Sequence, residues 1–409
     1  MGDPVETPAQ SIEVTVAGCG AITALGRGVP SLDRVLRGAD SGLRPAEFRT
    51  GPGPATVRLV AGPVSADALG HEPGDAREDL GDRAFRMALI AAGEASVNAG
   101  EALSRISCER QGLVVSTTKA GIEALERLVW REAVDAAEVA RIQPGGLTRD
   151  LARALRVGGP VQCVSAACIS GLLALRQGMA MIQRGDADAV HVVGIDVISA
   201  FVVTGFASLK SMDPEGCRPF DRARVGLSLG EGAGAMVLAR ARGGEGEPSE
   251  SGVRVTGWGS SNDANHLTGP SRDGSGLALA IGRALAKAGK RPAEVDCVHA
   301  HGTGTPYNDA MEALAIRTVF GDSPPPVGSS KGALGHTLGA AGVLESIICV
   351  RALEEAVLPG TPRLREADSQ APTSMVFEPR PEPGLRTVVK VNSGFGGTNA
   401  AMVFERGRA

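Results

Sequence analysis

Aromatic side chains are scarce in this chain of 409 residues, where Phe, Trp and Tyr together make up only 3%. The core must therefore be built from Val, Leu, Ala and Ile, and the 43% hydrophobic content is sufficient for a large globular core. An excess of positive charge is also missing, because the formal net charge is −4. Since nucleic-acid binding depends on basic surfaces, this balance argues against a nucleic-acid-binding protein.

Cysteine pairs of the Cys-x-x-Cys type are absent, although the chain has seven cysteines. Their odd number and scattered positions favour reduced thiols in a cytosol over a disulfide scaffold or a zinc ribbon. The first residues are polar and acidic and show no signal-peptide pattern. The longest apolar region, at about residues 188–209, is interrupted by His191 and Asp196 and is not expected to span a bilayer. We therefore predict a cytoplasmic protein that does not enter membranes.

Two parts of the chain show a similar succession of predicted strands and helices. Val253–Trp258 resembles the opening strand Val14–Cys19, and small residues follow both. The polar stretch 242–251 is typical of a joint between two units. We therefore predict a duplicated α/β unit, with an N-terminal half at 12–250 and a C-terminal half at 251–409.

Apolar periodicity predicts several individual elements of the N-terminal half. Arg83–Ala99 has the spacing of an amphipathic helix, and a further helical segment is predicted at about 120–140. Residues 40–80 are rich in Gly and Pro and are expected to be irregular, apart from one strand at Val57–Val60. These elements give the half a mixed α and β character.

Cys168 lies in a pattern that suits a nucleophile. Val161–Val164 predicts a short strand, small residues follow it, and a long apolar helix begins after Cys168. The thiol would thus stand at a helix N-terminus, where free N–H groups favour a thiolate. Taken alone, such a cysteine is as often a buried packing residue, so both interpretations stay open at this point.

His301 follows the predicted strand Val295–Ala300 on a loop with two glycines, where Thr303 and Thr305 offer hydroxyls to a polar ligand. By itself, His301 is better explained as a structural histidine. A metal pair with His299 lacks a third ligand at useful spacing.

A helix is expected after this loop. We predict that Asn308 or Asp309 caps it and that Glu312 completes a capping box, which is a structural role for both acids.

The stretch 329–342 carries Lys331 and His336. The pattern predicts His336 at a helix start after a glycine turn, and the Ala and Gly residues that follow would let this helix pack closely. A buried lysine needs a carboxylate partner, for which Glu345 is the candidate. Further on, a glycine-rich turn around Phe395 could aim a backbone N–H at an oxyanion.

Taken together, these motifs resemble those of the β-ketoacyl-[acyl carrier protein] synthases, the condensing enzymes of fatty-acid and polyketide synthesis. They occur in order along nearly the whole chain: Ala-Ala-Cys168-Ile-Ser-Gly, Arg218-Pro-Phe-Asp with Gly-Glu-Gly-Ala-Gly, Ala-His301-Gly-Thr-Gly-Thr, Lys331 with Gly-His336, and Gly-Phe395-Gly-Gly-Thr-Asn. The second histidine gives the Cys-His-His pattern of the elongating type. The resemblance implies the thiolase fold, in which two similar α/β halves form a five-layered αβαβα core, with the nucleophile in the first half and both histidines in the second.

The resemblance also implies roles in a decarboxylative condensation. Cys168 would take the acyl chain from an acyl carrier protein, with the backbone N–H groups of Cys168 and Phe395 as oxyanion hole. His301 and His336 would stabilise the enolate from a malonyl-[acyl carrier protein], whose attack gives the 3-oxoacyl product. Lys331 would fix the electrostatics of the site, and Glu345 would support its charge.

Further residues are assigned by the same resemblance. Thr303 and Thr305 fall where the family binds the phosphopantetheine arm, and Phe206 and Phe395 would gate the acyl pocket. Ile169 is bulkier than the residue usual there and is expected to reshape that pocket. The chemistry needs no metal and no organic cofactor.

Partners and pathway follow with several alternatives. Carrier proteins are acidic, so Lys210 is the expected docking residue, with a simple solvated lysine as the alternative. The chain would form a homodimer, or a heterodimer with a homologous chain-length partner in which it is the active subunit. Ala166, Ile169 and the stretch Ser116–Lys119 depart from the family pattern, which favours a specialised polyketide or polyene pathway. The competing interpretations are a non-condensing homologue, either a decarboxylase or a scaffold, and a Cys/His metalloprotein.

Overall fold

The computed structural model of the protein describes residues 12–38, 41–53, 55–70, 83–241 and 252–407. The strands in these ranges are β1 Val14–Thr23, β2 Gly26–Arg27, β3 Arg44–Arg49, β4 Thr56–Ala61, β5 Gln111–Ser116, β6 Val161–Val164, β7 Ala189–Asp196, β8 Gly232–Arg240, β9 Val253–Asn262, β10 Cys297–His299, β11 Val327–Gly328, β12 Val357–Leu358, β13 Arg380–Pro381, β14 Thr387–Gly394 and β15 Thr398–Arg406. The helices are α1 Val29–Leu36, α2 Arg83–Ala99, α3 Glu101–Ser104, α4 Ile122–Val129, α5 Ala136–Arg141, α6 Pro144–Leu155, α7 Ser170–Gln183, α8 Ala200–Ser208, α9 Ser275–Ala288, α10 Pro306–Phe320, α11 Lys331–Leu334 and α12 Ala341–Glu355.

The main sheet repeats one strand order on its two sides. Its order is β11-β10-β14-β15-β9-β1-β8-β7-β5-β6, and β9 meets β1 through the single pair Thr15 and Arg254. From this junction outward, the strands are β1, β8, β7, β5 and β6 in the N-terminal half and β9, β15, β14, β10 and β11 in the C-terminal half. Numbered along its own half, each series contains the first, fifth, fourth, second and third main strand. The parallel and antiparallel pairings also correspond, since β5 is parallel to β6 as β10 is to β11. The predicted duplication is therefore confirmed, while the joint at 242–251 and the half boundary lie outside the described residues.

The helices and the two halves of the sheet form five layers in the order αβαβα, so that helices make up three of them. α2 and α9 are equivalent helices that pack on the outer faces, against β1 and β9 respectively. Each lies so close that a side chain on the strand is excluded: a Cβ at Gly20 would lie 2.1 Å from the Ala91 carbonyl oxygen, and one at Gly259 would lie 2.1 Å from that of Ala280. A core with few aromatic rings thus gains density by bringing backbones together.

α7 and α12 form the middle layer between the two halves. They cross at Gly171 and Gly342, where a Cβ added to Gly171 would lie 2.7 Å from the Gly342 Cα. The Ala and Gly run after His336 therefore allows the predicted close packing. Because each middle helix begins beside a catalytic candidate, this crossing brings the sites of the two halves together.

Some elements differ from the sequence prediction. β3 and β4 form a two-stranded hairpin in a segment that was expected to hold one strand. The helical segment predicted at 120–140 is divided into α4 and α5, because Asp135 and Glu138 form a capping box that starts a new helix. All seven cysteines are free, as predicted. None of the helices in the described part of the chain combines the length and apolar character that a membrane crossing requires.

Candidate active site

Cys168 is held on a tight turn between β6 and α7. Ala167 adopts a left-handed conformation with φ +48°, which is strained for a residue with a side chain. Ser170 secures the turn, because its hydroxyl donates to the Ala167 carbonyl at 2.6 Å and accepts the Ala166 N–H at 2.8 Å. The turn presents the Cys168 thiol from a rigid support, with only 8% of the residue exposed.

The structure brings Cys168, His301 and His336 together although they are far apart in sequence. The Nε2 atom of His336 lies 3.0 Å from the Cys168 Sγ. The two imidazole rings are perpendicular, with centroids 5.2 Å apart. All three side chains line one cavity of about 380 Å³. The site is therefore built from both halves of the fold, with the thiol from one half and both imidazoles from the other.

His301 is fixed in one tautomer by its neighbours. Its Nδ1 atom receives hydrogen bonds from Asn392 Nδ2 at 2.8 Å and from Lys331 Nζ at 3.1 Å. Since both groups are donors, Nδ1 must be unprotonated and the ring proton must lie on Nε2. Burial, together with the charge of Lys331, holds the pKa of His301 well below its usual value. The ring is thus neutral, and its free Nε2–H is available as a donor.

His336 has the same tautomer for a different reason. The backbone N–H of Leu338 donates to its Nδ1 at 3.3 Å, which leaves the proton on Nε2, facing the sulfur. Burial lowers the pKa of His336 to about 3, and Lys331 acts in the same direction. Two neutral imidazoles therefore each direct an N–H donor toward the same small space.

The backbone around His336 corrects the prediction that it starts a helix. His336 is extended and lies beside Leu229, and its N–H donates to the Ser228 carbonyl at 2.8 Å. Gly335, with φ +72°, ends α11 immediately before it, and α12 begins only at Ala341. The glycine-rich loop before β8 thus pins the histidine as a strand-like residue.

Lys331 and Glu345 form a buried ion pair beneath the histidines. Lys331 also donates to the His301 carbonyl at 2.7 Å. A second lysine, which the sequence analysis did not single out, joins this pair: Lys390 Nζ lies 2.8 Å from Glu345 Oε2. Burial opposes ionisation of Glu345, but Lys331 and Lys390 outweigh it and hold its pKa below the usual range. Two cations on one carboxylate leave this buried cluster with one excess positive charge.

The resting state of the thiol corrects another expectation. Burial raises the pKa of Cys168 to about 11, although Lys331, Lys119 and the Phe395 N–H all act to lower it. Cys168 precedes the first residue of α7 by two positions, so the helix N-terminus does not offset the loss of solvent. The thiol is therefore protonated in the resting site.

A metal ion fits this group of side chains poorly. The ligand atoms of Cys168, His301 and His336 do lie within 4.8 Å of one another. The adjacent cluster of Lys331 and Lys390 has excess positive charge, however, and the thiol resists ionisation. His299, the other proposed ligand, is buried, its ring nitrogens have no hydrogen-bond partner in the described part of the chain, and it is not part of the group.

Asp309 and Glu312 support the His301 loop and do not cap a helix. α10 begins at Pro306, whose ring suits the first helical position, so both acids lie within the helix. Glu312 accepts the N–H groups of His301 and Gly302. The predicted capping box is therefore wrong, and these carboxylates instead hold the backbone that carries the His301 imidazole.

The walls of the cavity are formed by predicted binding residues. Thr303 and Thr305 both line it, and their hydroxyls lie 2.9 Å apart. The Phe206 and Phe395 rings stack with centroids 5.7 Å apart and also line the cavity. A Cβ at Gly394 would lie 3.1 Å from the Cys168 nitrogen, so the turn before Phe395 closely approaches the Cys168 backbone.

Two predicted residues lie outside this cavity lining. Ile169 is 3% exposed and packs in the main hydrophobic core with residues such as Leu172. Lys210 is exposed two residues after α8, and its neighbour Leu209 lines the cavity. The role of Lys210 as a docking residue stays a prediction.

Asp196 was not singled out as a site residue, yet it anchors two loops near the site. It accepts hydrogen bonds from the Thr117 hydroxyl at 2.9 Å and the Thr118 N–H at 3.1 Å. It also accepts the Gly339 N–H at 2.7 Å, three residues after His336. An aspartate at the end of an apolar strand was the available signal in the sequence.

The comparisons with known proteins identify the family. Sequence models described as "Beta-ketoacyl synthase, N-terminal domain" and "Beta-ketoacyl synthase, C-terminal domain" match residues 12–243 and 253–365. The chain belongs to the β-ketoacyl synthase family. It is 32% identical over 378 residues to the tetracenomycin polyketide synthase ketoacyl synthase alpha subunit of Streptomyces glaucescens, covering 85% of this chain and 86% of that one. It is 27% identical over 414 residues to the 3-oxoacyl-[acyl-carrier-protein] synthase 2 of Staphylococcus aureus, covering 97% and 99%.

Solved structures of related ketosynthases have the same fold. A ketosynthase in complex with its chain length factor from Xenorhabdus doucetiae superimposes with a TM-score of 0.83 at 29% identity, covering 98% of this chain and 99% of that one. The ishigamide ketosynthase/chain length factor gives a TM-score of 0.83 at 33% identity, covering 97% and 99%. The predicted family, the thiolase fold and the assignment as an acyltransferase-type condensing enzyme are confirmed.

Proposed function

We propose that this β-ketoacyl synthase performs the decarboxylative Claisen condensation of an acyl-Cys168 enzyme with malonyl-[acyl carrier protein], which yields 3-oxoacyl-[acyl carrier protein]. The observation that carries the proposal is the pair of neutral imidazoles that each direct an Nε2–H donor to the space beside the Cys168 sulfur. Such donors stabilise an enolate oxygen, and this is the charge that decarboxylation creates.

The first half-reaction transfers the acyl group to the enzyme. The Cys168 sulfur attacks the thioester carbonyl, whose oxygen becomes negative and is stabilised by the backbone N–H groups of Cys168 and Phe395. The carbon–sulfur bond to the carrier protein then breaks, and the thiol proton ends on the leaving sulfur. The Nε2 atom of His336 lies 3.0 Å from Sγ, and its N–H stabilises negative charge that develops on the sulfur.

The second half-reaction forms the new carbon–carbon bond. The malonyl carboxylate leaves as CO₂, and its electron pair becomes the enolate held by His301 and His336. The enolate carbon attacks the acyl carbonyl and expels the Cys168 thiolate, which takes a proton from solvent. The cluster of Lys331, Lys390 and Glu345 below the histidines has excess positive charge. This charge stabilises the anionic enolate relative to the neutral resting state.

The substrates would enter on the phosphopantetheine arm of an acyl carrier protein, and the reaction needs no metal or organic cofactor. Thr303 and Thr305 provide hydroxyls for the amides of such an arm. Lys210 would contact the acidic carrier protein near the Phe206 and Phe395 gate. With seven free thiols, the enzyme suits the reducing conditions of a cytoplasm.

A specialised polyketide pathway and a dimeric state complete the proposal. An apolar surface on α4 and α8 supports a dimer, because Val129 is 69% and Phe201 63% exposed in the single chain. The relatives named above include a polyketide synthase alpha subunit and two ketosynthases paired with chain length factors. These names support a heterodimer with a homologous partner, and a homodimer is the alternative.

Intact-mass spectrometry tests the proposal. Wild type and Cys168→Ala are incubated with a series of acyl carrier proteins, and malonyl-[acyl carrier protein] is then added. We expect a mass gain of one acyl group on wild type only, followed by its loss as the 3-oxoacyl product forms. Absence of acylation, both alone and with a candidate chain-length partner, would refute the proposed activity. Acylation that persists after malonyl addition would favour a non-condensing homologue.

A further inference from the structure

Asn392 lies under His301 and has no assigned part in the chemistry described above. It is fully buried at the end of β14. Its Nδ2 donates to His301 Nδ1 at 2.8 Å and to Glu345 Oε2 at 3.1 Å, which uses both amide protons. Its Oδ1 has no hydrogen-bond partner among the described residues. A buried acceptor without a partner costs free energy. The value of an asparagine at this position therefore lies in its NH₂ group and not in its carbonyl oxygen.

We propose that Asn392 is a positioning residue that holds His301 in the Nε2–H tautomer required for enolate stabilisation. The amide cannot be reversed, because its nitrogen faces the Glu345 carboxylate, which accepts only hydrogen-bond donors. Lys331 and Lys390 keep that carboxylate ionised. A chain of hydrogen bonds thus runs from Lys390 through Glu345 and Asn392 to His301 Nδ1.

Lys331 is the weaker donor to the same ring nitrogen. Its ammonium group is divided among Glu345, the His301 carbonyl at 2.7 Å and His301 Nδ1 at 3.1 Å. The Asn392 contact with Nδ1 is shorter, at 2.8 Å. The amide is therefore the principal donor to Nδ1, and Lys331 is the secondary one.

The inference separates the two half-reactions, and in this it rests on the proposed function. Acyl transfer to Cys168 uses the oxyanion hole and His336, so it does not require the His301 proton. Decarboxylation places an anionic oxygen near His301 and requires that proton on Nε2. Reversal of the tautomer would present a lone pair to the enolate, which would repel it.

The test replaces Asn392 with aspartate and with leucine. Asn392→Asp has the same shape, but the oxygen that replaces Nδ2 faces both His301 Nδ1 and Glu345 Oε2. Two carboxyl groups this close share one proton, so the new side chain directs that proton to Glu345 and a lone pair to His301 Nδ1. We expect the His301 proton to move to Nδ1 in this variant. Asn392→Leu removes the donor without adding an acceptor, so Lys331 keeps part of the original tautomer. Asn98→Asp is the matched control, because it makes the same change at an amide on α2 that binds the Cys19 carbonyl.

Two readouts are combined. Nitrogen-15 NMR of labelled histidine reports which ring nitrogen carries the proton, and His301→Gln assigns the His301 signals. Mass spectrometry measures Cys168 acylation and its discharge by malonyl-[acyl carrier protein]. We expect Asn392→Asp to acylate at a rate close to wild type while condensation falls about 100-fold or more, as on loss of an oxyanion donor. Asn392→Leu should lose less, and Asn98→Asp should match wild type.

Each contrary outcome is distinct. A proton on Nδ1 of His301 in the wild-type enzyme would overturn the proposal without any variant. An unchanged tautomer in Asn392→Asp, or equal losses in the Asp and Leu variants, would reduce Asn392 to a packing residue. A reversed tautomer with normal condensation would show that the His301 proton is not used. If wild type itself fails to condense, the proposed function fails, whereas the tautomer readout still decides the role of Asn392.

Discussion

Replacement of Glu345 by glutamine removes the one carboxylate that faces two buried lysines. Both Lys331 and Lys390 are completely buried, and each contacts a different oxygen of Glu345. Loss of one member of a buried ion pair costs about 3–5 kcal/mol, because the remaining charge stays without compensation. Here two ammonium groups are left, so we expect the free energy of unfolding to fall by an amount at the upper end of that range.

Lys390→Met provides the contrast. It removes the excess cation and leaves Lys331 and Glu345 as a balanced pair. The Lys390 ammonium group also donates to three carbonyls, with long bonds to His299 and Ala300 at 3.4 and 3.3 Å and a short bond to Val391. Because these acceptors lose a donor while no charge is left unpaired, we expect a loss of stability of about 1–3 kcal/mol, smaller than that of Glu345→Gln.

Urea denaturation at fixed protein concentration measures both losses, since stability of an oligomer depends on concentration. Equal destabilisation by Glu345→Gln and Lys390→Met would refute the shared-carboxylate account. A Glu345→Gln loss below about 1 kcal/mol would do the same, since that is the size of an exposed ion pair.

Three further predictions follow from the same site and its packing. The pKa of His336 is lowered from 6.5 to about 3, so its neutral form stabilises the fold fully above pH 6.5, and this contribution is lost as the pH falls toward 3. For the same reason, the pH–rate profile for condensation should show no imidazole protonation near pH 6.5. Because the pKa of Cys168 is raised to about 11, its alkylation by iodoacetamide should accelerate throughout the alkaline range. Gly342→Ala should cost about 1–3 kcal/mol, because its Cβ would lie 2.6 Å from the Leu172 nitrogen, whereas Gly93→Ala in α2 meets no atom within 4 Å and should stabilise.

Contrary results are specific to each of these predictions. An acid limb near pH 6.5 that disappears in a His336 variant would mean that this ring is protonated in the working range. A plateau of alkylation near neutral pH would indicate a resting thiolate at Cys168. Equal thermal shifts for Gly342→Ala and Gly93→Ala would remove the close crossing of α7 and α12 as a stabilising feature.

Local sequence patterns predicted much of the fold. Val161–Val164 has the predicted bounds and α2 ends at the predicted Ala99, because apolar periodicity and flanking turn residues are properties of the local sequence. The resemblance of β1 and β9 reflects glycines that admit α2 and α9 closely. The five ordered motifs likewise predicted that the thiol and both imidazoles lie in one site.

Features that depend on tertiary contacts were missed. Lys390 and Asn392 reach the site because β14 pairs with β10 in a register that places Lys390 opposite His299. No local sequence pattern sets that register. A lone lysine within the apolar strand β14 was nevertheless a signal of a buried partner. Cys168 was expected to favour a thiolate because the helix terminus is visible in the sequence, whereas the burial that opposes it depends on residues from the other half of the fold.

The coupling between CO₂ release and bond formation tests the central claim most directly. Acylated enzyme is mixed with malonyl-[acyl carrier protein] labelled at the free carboxyl carbon, with the candidate chain-length partner both absent and present. Released CO₂, acyl groups lost from Cys168 and 3-oxoacyl product are then counted. The account predicts equal amounts of all three in wild type. CO₂ release without loss of the acyl group would contradict it, since the His301 and His336 donors would then serve a decarboxylase and not a condensing enzyme.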